Sequence, residues 1–353
     1  MANIRLSNTG GTFATGATWD GGVAPGATDT WYADSSSGNL TLGANAQTRA
    51  YDFTGYTGTL DLVSFTLTAA VATGSTSNVK LATGMTVSYT TGLLVFHGVS
   101  ATVNFYPCGK TTPRLTLGQT GLNTATLTLQ GALTVAGALT VVGGTFNANG
   151  YSVTLSGALS SSNANTRSIT LADVALTGTG TVWTTSDPTG LTLACSGTIS
   201  VTNTSSTDKT IIANGVNLGN VSVIGGGTGQ IKITSDAVVN NLVFSHPKTV
   251  VVSGGKTLTI SGTVGSNGTS APSRVVLQSS TTGTPFTISK ASGEVSIDWW
   301  SLKDSTASGG ANFYAGANSL NVSGNSRWTF SAPPGALPMN LLLDTDMYGG
   351  IAE

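Results

Sequence analysis

The stretch from Arg114 to Leu159 constrains the fold more than any other part of this chain. Short runs in which an apolar residue alternates with threonine recur along it: Leu115-Thr-Leu117, Leu127-Thr-Leu129, Leu133-Thr-Val135, Leu139-Thr-Val-Val142 and Val153-Thr-Leu155. Each run is closed by Gly or Asn. A side-chain period of two puts Leu and Val on one face and Thr on the other, as a half-buried strand requires. None of these strands is long enough to bury its apolar face alone. A stack of similar rungs does so, each covering the last. The fold expected is all-β, a parallel β-helix (β-solenoid).

Similar runs continue on both sides. Leu40-Thr-Leu42, Phe65-Thr-Leu67 and Met85-Thr-Val87 precede the core stretch, and Ser168-Ile-Thr-Leu171, Leu191-Thr-Leu193, Leu258-Thr-Ile260 and Glu294-Val-Ser-Ile297 follow it. Strand starts lie about 8 to 20 residues apart, which suits rungs of two or three strands. At ~22 residues per rung and ~4.8 Å of rise, residues 35–330 predict a rod of roughly 60–65 Å. The competing arrangement, a pair of antiparallel layers, needs two-residue hairpin turns. Only Asn149-Gly150, Asn214-Gly215 and Asn267-Gly268 offer them.

Composition agrees. Of 353 residues 47 are Gly, and charged residues make up 8%, against a usual share of about 25%. Ser, Thr and Asn fill the polar positions instead. Regularly spaced Leu, Ile and Val set the chain apart from a disordered one. The net charge of −1 leaves no basic patch, so nucleic acid is not expected as a partner. The longest apolar runs, such as Leu93-Leu-Val-Phe96, are far short of a membrane span. The polar start, Met1-Ala-Asn-Ile-Arg-Leu-Ser-Asn, has no apolar signal-peptide core, which predicts a cytoplasmic product. Cys108 and Cys195 form no motif and are expected to be buried thiols.

Catalytic and metal-binding patterns fail one by one. His97 and His246 look like turn or rung-edge residues. Glycan cleavage needs two facing carboxylates about 5 to 9.5 Å apart, and the nearest candidates in the body are Asp298 and Asp304. Turn capping is the expected role for both. Gly255-Lys-Thr257 lacks the earlier glycine of a phosphate loop, since Val250 stands there. Gly225-Gly-Gly-Thr-Gly229 is not followed by a helix. Asp344-Thr-Asp346 is too short for a calcium loop. No catalytic residue, cofactor or metal is expected.

Three parts are expected along the chain. Residues 1–34 read as an N-terminal cap, with Phe13, Trp19, Val23, Trp31 and Tyr32 around the turn Asp20-Gly-Gly-Val-Ala-Pro-Gly26. Residues 35–330 read as the β-helix body, closed by an aromatic-rich rung at 299–330. Residues 331–353 read as a Pro-rich linker and an apolar tail. In that tail Leu341, Leu342, Leu343, Met347 and Tyr348 are candidate partner-binding residues, through insertion into a neighbouring subunit or docking on the chain's own rod.

Two end motifs carry a resemblance. Thr18-Trp-Asp-Gly-Gly-Val-Ala-Pro25 with Asp29 at the start is one. Lys303-Asp-Ser-Thr-Ala-Ser-Gly-Gly310, Phe313-Tyr-Ala-Gly-Ala-Asn-Ser319 and Gly324-Asn-Ser-Arg-Trp-Thr-Phe330 at the finish make the other. They resemble the entry and closing rungs of β-helical virion proteins of tailed phages, over roughly 45 residues. The resemblance implies a non-enzymatic structural role in a virion, as a capsid decoration or a head or tail appendage. Other virion proteins would be its partners and a homotrimer the favoured assembly. A tail spike or fibre contacting or cleaving host surface glycan is the alternative. A bacterial adhesin or ice-binding solenoid is a second alternative, though ice binding requires a strict Thr-x-Thr ladder and the Thr spacing here drifts along the sequence.

Overall fold

In the computed structural model, which describes residues 2–119, 124–245, 247–266 and 268–335, the chain winds as a three-faced parallel β-solenoid. The first face is a nine-stranded sheet from Asn3–Arg5 to Leu191–Cys195, continued by a four-stranded sheet from Ala237–Val239 to Ser305–Ser308. Residues 216–218 precede the second of these sheets, with Asn217 paired to Val238. The second face begins with four strands, from Gly11–Thr12 to Thr86–Ser88. It goes on as eight strands from Thr111–Thr112 to Val264–Ser266, then as the pair Glu294–Ser296 and Asn312–Tyr314. The third face is one unbroken thirteen-stranded sheet from Ala46–Thr48 to Leu320–Ser323. Strand pairing is parallel along all three faces, as expected of a β-helix and not of facing antiparallel layers. Thirteen strands at ~4.8 Å spacing give a rod of roughly 60 Å.

Alternation decides what fills the core. On the third face Leu67, Leu94, Leu115, Leu139, Leu159, Trp183, Ile211, Ile233 and Val252 stack in one inward column, all buried. Each rung covers its neighbour's apolar side chains, at about 1.5–3 kcal/mol per large residue. Rung length varies: Ile231 pairs with Val250, 19 residues on, but Gly180 pairs with Lys209, 29 residues on. Loops at the corners absorb the difference.

At one corner the backbones of successive rungs touch. The Gly157 N–H donates to the Gly137 carbonyl at 3.0 Å. A Cβ on Gly157 would lie 2.6 Å from the Gly137 carbonyl carbon, and one on Gly178 would lie 2.5 Å from the Ser156 oxygen. Lack of a side chain is what lets these loops stack. Three lysines tie such loops down. Lys209 donates to the Gly178 carbonyl, Lys248 to that of Gly227 and Lys290 to that of Gly262, each on an earlier loop. Burial pushes the Lys209 and Lys248 ammonium groups below the usual lysine pKa.

The N-terminal end of the core is closed by the chain itself. Strands Asn3–Arg5 and Thr30–Tyr32 already belong to the first face, so residues 1–34 combine the first rung with a cover over it. Leu6 makes an antiparallel bridge to Trp19, which turns the loop back across the opening. Trp19 packs edge-on against Phe13 and Trp31, each at 5.2 Å between ring centres, and Trp31 meets Phe53 at 4.8 Å. The Trp19 Nε1–H donates to the Phe13 carbonyl at 2.7 Å.

Tyr51 belongs to the same cluster and is fully buried, and among the described residues its hydroxyl has no hydrogen-bond partner. Burial also drives its pKa far above the usual tyrosine range. An unpaired buried hydroxyl carries a desolvation cost, so Tyr51→Phe is expected to stabilise the cap by about 1 kcal/mol. Thermal unfolding checks this: a fall in Tm in place of a rise would show that the hydroxyl is satisfied.

Candidate binding surface

Outward-facing side chains also fall into columns. On the first face Thr76, Thr102, Thr126, Thr145, Ser168 and Thr192 are register partners in successive rungs. Two residues on along the strand, Asn78, Asn104, Thr128, Asn147 and Thr170 form a second column. The Asn104 Nδ2–H donates to Asn78 Oδ1 at 3.1 Å, and Gln130 reaches Asn104 at 3.4 Å. The expected drift in Thr spacing is therefore a property of loop lengths. In space the hydroxyls are aligned over six rungs.

The third outward column of this face is different in kind. Arg5, Tyr32, Asp52, Lys80 and Tyr106 follow one another as register partners. Lys80 Nζ lies 3.1 Å from Asp52 Oδ2 and 5.7 Å from the centre of the Tyr106 ring. Corner loops beside this column leave two open hollows, one of about 490 Å³ bordered by Tyr56, Lys80, Tyr106 and Cys108, and one of about 300 Å³ bordered by Tyr32, Asp34 and Asp52. Aromatic rings, a cation and carboxylates thus alternate along the rod axis. No periodicity in the chain marks this column, because its members are separated by 27, 20, 28 and 26 positions. Only the register brings them together.

Both acids of the smaller hollow are held ionised. Arg5 Nε and Nη2 grip the two oxygens of Asp34, each at 2.7 Å, and Arg5 Nη1 reaches Asp20 at 2.8 Å. This grip, with a hydrogen bond from Ser36, holds the Asp34 carboxyl well below the usual carboxylate range. For Asp52 burial works in the opposite direction, but hydrogen bonds from Thr54 and Lys80 outweigh it and its pKa is also lowered. A general acid for glycoside cleavage needs a raised pKa. Neither carboxyl has one.

These depressed pKa values make the cap acid-sensitive. A carboxyl whose folded pKa lies below its unfolded value stabilises the fold fully above the unfolded value, about 3.9, and progressively less as pH falls below it. Asp29 is also lowered, by backbone hydrogen bonds from Ala2 and Gly26. Protection of the amides of Asn3–Arg5 and Thr30–Tyr32 against hydrogen exchange is therefore expected to hold from pH 7 down to about 4 and then to fall. Asp34→Asn should flatten that dependence. Equal acid sensitivity in the variant would refute the assignment to Asp34.

The remaining candidates are placed as follows. Asp298 Oδ1 accepts the Trp299 and Asn318 N–H groups at 3.0 and 2.9 Å, and Asp304 Oδ2 accepts that of Gly283 at 3.1 Å. Both carboxylates cap turns. His97 is not in a turn: it lies within strand Leu93–Gly98, paired with Ala70, and burial lowers its pKa. Cys108 and Cys195 are free thiols, half-buried where full burial was expected, with pKa values raised chiefly by burial. In the loop of residues 225–229, a Cβ on Gly227 would lie 2.4 Å from the Ser205 nitrogen and one on Gly229 would lie 2.2 Å from the Thr207 oxygen, so these glycines serve close stacking. Asn149 and Asn214 do adopt left-handed turns with the glycines after them, but those turns join strands of different sheets. His246 and the tail residues Leu341, Leu342, Leu343, Met347 and Tyr348 lie outside the described residues.

Among the described residues no helix is long and apolar enough to cross a membrane, and no group of three or more His, Cys, Asp or Glu could hold a metal ion. No family model, curated protein or solved structure matches the chain.

Proposed function

We propose that this chain is a non-catalytic structural rod of a tailed-phage virion, a capsid decoration or a head or tail appendage, working as a homo-oligomer in contact with other virion proteins. The observation that carries the structural part is the continuous third face: thirteen parallel, hydrogen-bonded strands over a core of buried apolar side chains. Such a ladder is a stiff spacer, since each rung is held by both neighbours. The polar columns of Thr, Ser and Asn give it a weakly charged surface suited to standing in solvent. The virion part rests on the resemblance of the two end motifs. Immunogold labelling of particles of the phage that encodes the chain tests it, together with mass spectrometry of the purified particles. Labelling at a fixed place on the particle is expected. Absence from the particles, or depolymerisation of host surface polysaccharide by the purified protein, would overturn it.

A second reading is favoured by the column Tyr32, Asp52, Lys80 and Tyr106. Rings that stack on sugar faces, interleaved with groups that hydrogen-bond hydroxyls, suit a neutral or weakly charged glycan lying along the rod. On this reading the chain is a receptor-binding spike or fibre. Tyr106→Ala should abolish retention on host surface glycan while leaving the fold intact. Unchanged retention would exclude this surface.

A further inference from the structure

The corner between the second and third faces carries an open hollow of about 280 Å³. Its lining comes from three successive connections between those faces: residues 89–92, Pro113 with Arg114, and Ala136 with Gly137. Pro113 and Gly92 are buried, the Tyr89 ring is half-buried and Arg114 is exposed. No residue is shared with the two hollows beside the first-face column.

Local backbone explains why this hollow is open and why its walls are fixed. A Cβ on Gly137 would lie 2.5 Å from Arg114 Cγ, so only glycine lets the arginine stem lie across that connection. The N–H groups of Thr90 and Thr91 both donate to the Val63 carbonyl, at 2.7 and 3.1 Å. Val63 itself sits at φ +49°, a left-handed conformation rare for a β-branched residue. Strained backbone of this kind persists where its surroundings hold it, and it gathers at ligand sites. Arg114 Nη2 donates to the Thr91 carbonyl at 2.7 Å, which anchors the guanidinium. Among the described residues its other N–H groups have no partner and no carboxylate pairs with it. Asp61, beside Ser88 on the second face, is turned to the backbone, accepting the Val63 N–H at 3.0 Å. Burial raises the Tyr89 pKa, so its phenol stays a protonated donor.

We propose that this hollow binds a carboxylated sugar, a uronate unit of an acidic glycan, with its ring against Tyr89 and its carboxylate on Arg114. Charge complementarity is the first argument. A guanidinium without an acidic partner presents a planar fork that matches a carboxylate. The second is the ring beside it, a flat apolar surface with a polar tip, which suits one face of a pyranose. Thr90 and Thr91, both exposed and both lining the hollow, add hydroxyls that can pair with those of the sugar. Size is the third: the volume falls just below the ~300–1,000 Å³ of ordinary small-molecule sites, which suits a single sugar ring. The site lies on a different corner from the first-face column, so it stands whether or not that column holds a neutral glycan.

Titration of the full chain with trigalacturonate, a hyaluronan tetrasaccharide and the methyl ester of trigalacturonate tests this. At least one of the two acids is expected to bind, and the ester at least ~10-fold more weakly than the free trigalacturonate, because a charge-assisted pair is lost. Arg114→Gln should weaken acid binding at least ~10-fold, and Arg114→Lys by less, since the charge stays while the fork goes. Arg114 is exposed, so neither variant should disturb the fold, and an unchanged urea midpoint checks that. Tyr89→Ala should weaken the acids as well, whereas Tyr106→Ala on the first face should leave them unchanged. No binding of either acid up to ~10 mM, equal binding of trigalacturonate and its ester, or binding that Arg114→Gln leaves intact would each overturn the proposal. Loss in Tyr106→Ala without loss in Arg114→Gln would place the acid on the first face and overturn it too, while retention of neutral glycan is judged by its own test.

Discussion

Replacing Arg167 by methionine is expected to cost about 3–5 kcal/mol of stability, one of the two largest effects of any single substitution in this chain. Arg167 opens strand Arg167–Leu171, and its parity is that of Ile169 and Leu171, so its side chain points into the rod, where it is 1% exposed. Gly144, its register partner in the previous rung, leaves room for it. The guanidinium then meets oxygens from two loops. Nε donates to Ser161 Oγ at 2.6 Å and Nη2 to the Ser161 carbonyl at 3.0 Å. Nη1 donates to the Asn165 and Thr189 carbonyls at 2.8 and 2.6 Å, and Nη2 also to that of Asp187 at 2.6 Å. Methionine keeps the volume but leaves five acceptors unpaired, and each buried acceptor so stranded costs about 1–3 kcal/mol before the loops relax. Lysine keeps the charge but has three donors and no planar fork, so Arg167→Lys should lose roughly half as much. Urea unfolding with hydrogen exchange over residues 161–190 reads both effects. A methionine variant within about 1 kcal/mol of the parent would show that the clamp is dispensable.

Trp19→Ala is the second, with an expected loss of about 3–5 kcal/mol confined to the first rungs. Trp19 is 2% exposed and touches Phe13 and Trp31, which in turn holds Tyr51 and Phe53. Alanine leaves a cavity at the open end of the core and also removes the bond from Nε1 to the Phe13 carbonyl. In a solenoid each rung answers mainly to its neighbours. Amide protection should therefore collapse from Asn3 through about Phe53 and persist near native levels from Leu139 to Ile260. Uniform loss along the whole chain would contradict a rod built of nearest-neighbour rungs.

The alternation of Leu or Val with Thr made the strands and the core legible, since parity alone settles which side chains point inward. Leu133, Val135, Leu139, Val153 and Leu155 are all buried. The same rule applies to Arg167, two positions before Ile169. A strand read as starting at Ser168 hides it, because a cation beside an apolar run is ordinarily left to the surface. Rung boundaries were illegible for a different reason. Loop length at the corners is free to vary while the strand ladder stays in register, so the column Arg5, Tyr32, Asp52, Lys80 and Tyr106 has no constant interval in sequence. The first-face threonines were hidden in the same way. They look irregular along the chain and are aligned across it.

Distances between spin labels on one outward column test the solenoid most directly. Thr68, Val95, Thr116, Thr140, Ser160 and Thr184 are successive register partners on the third face. Labels placed in pairs at Thr68 with Thr140 and at Thr68 with Thr184 span three and five rungs. At ~4.8 Å per rung the backbone separations are about 14 and 24 Å, and the label distances should rise by the same ~10 Å between the two pairs. A separation that fails to grow with rung number, as two facing antiparallel layers would give, contradicts the parallel winding from which everything else follows.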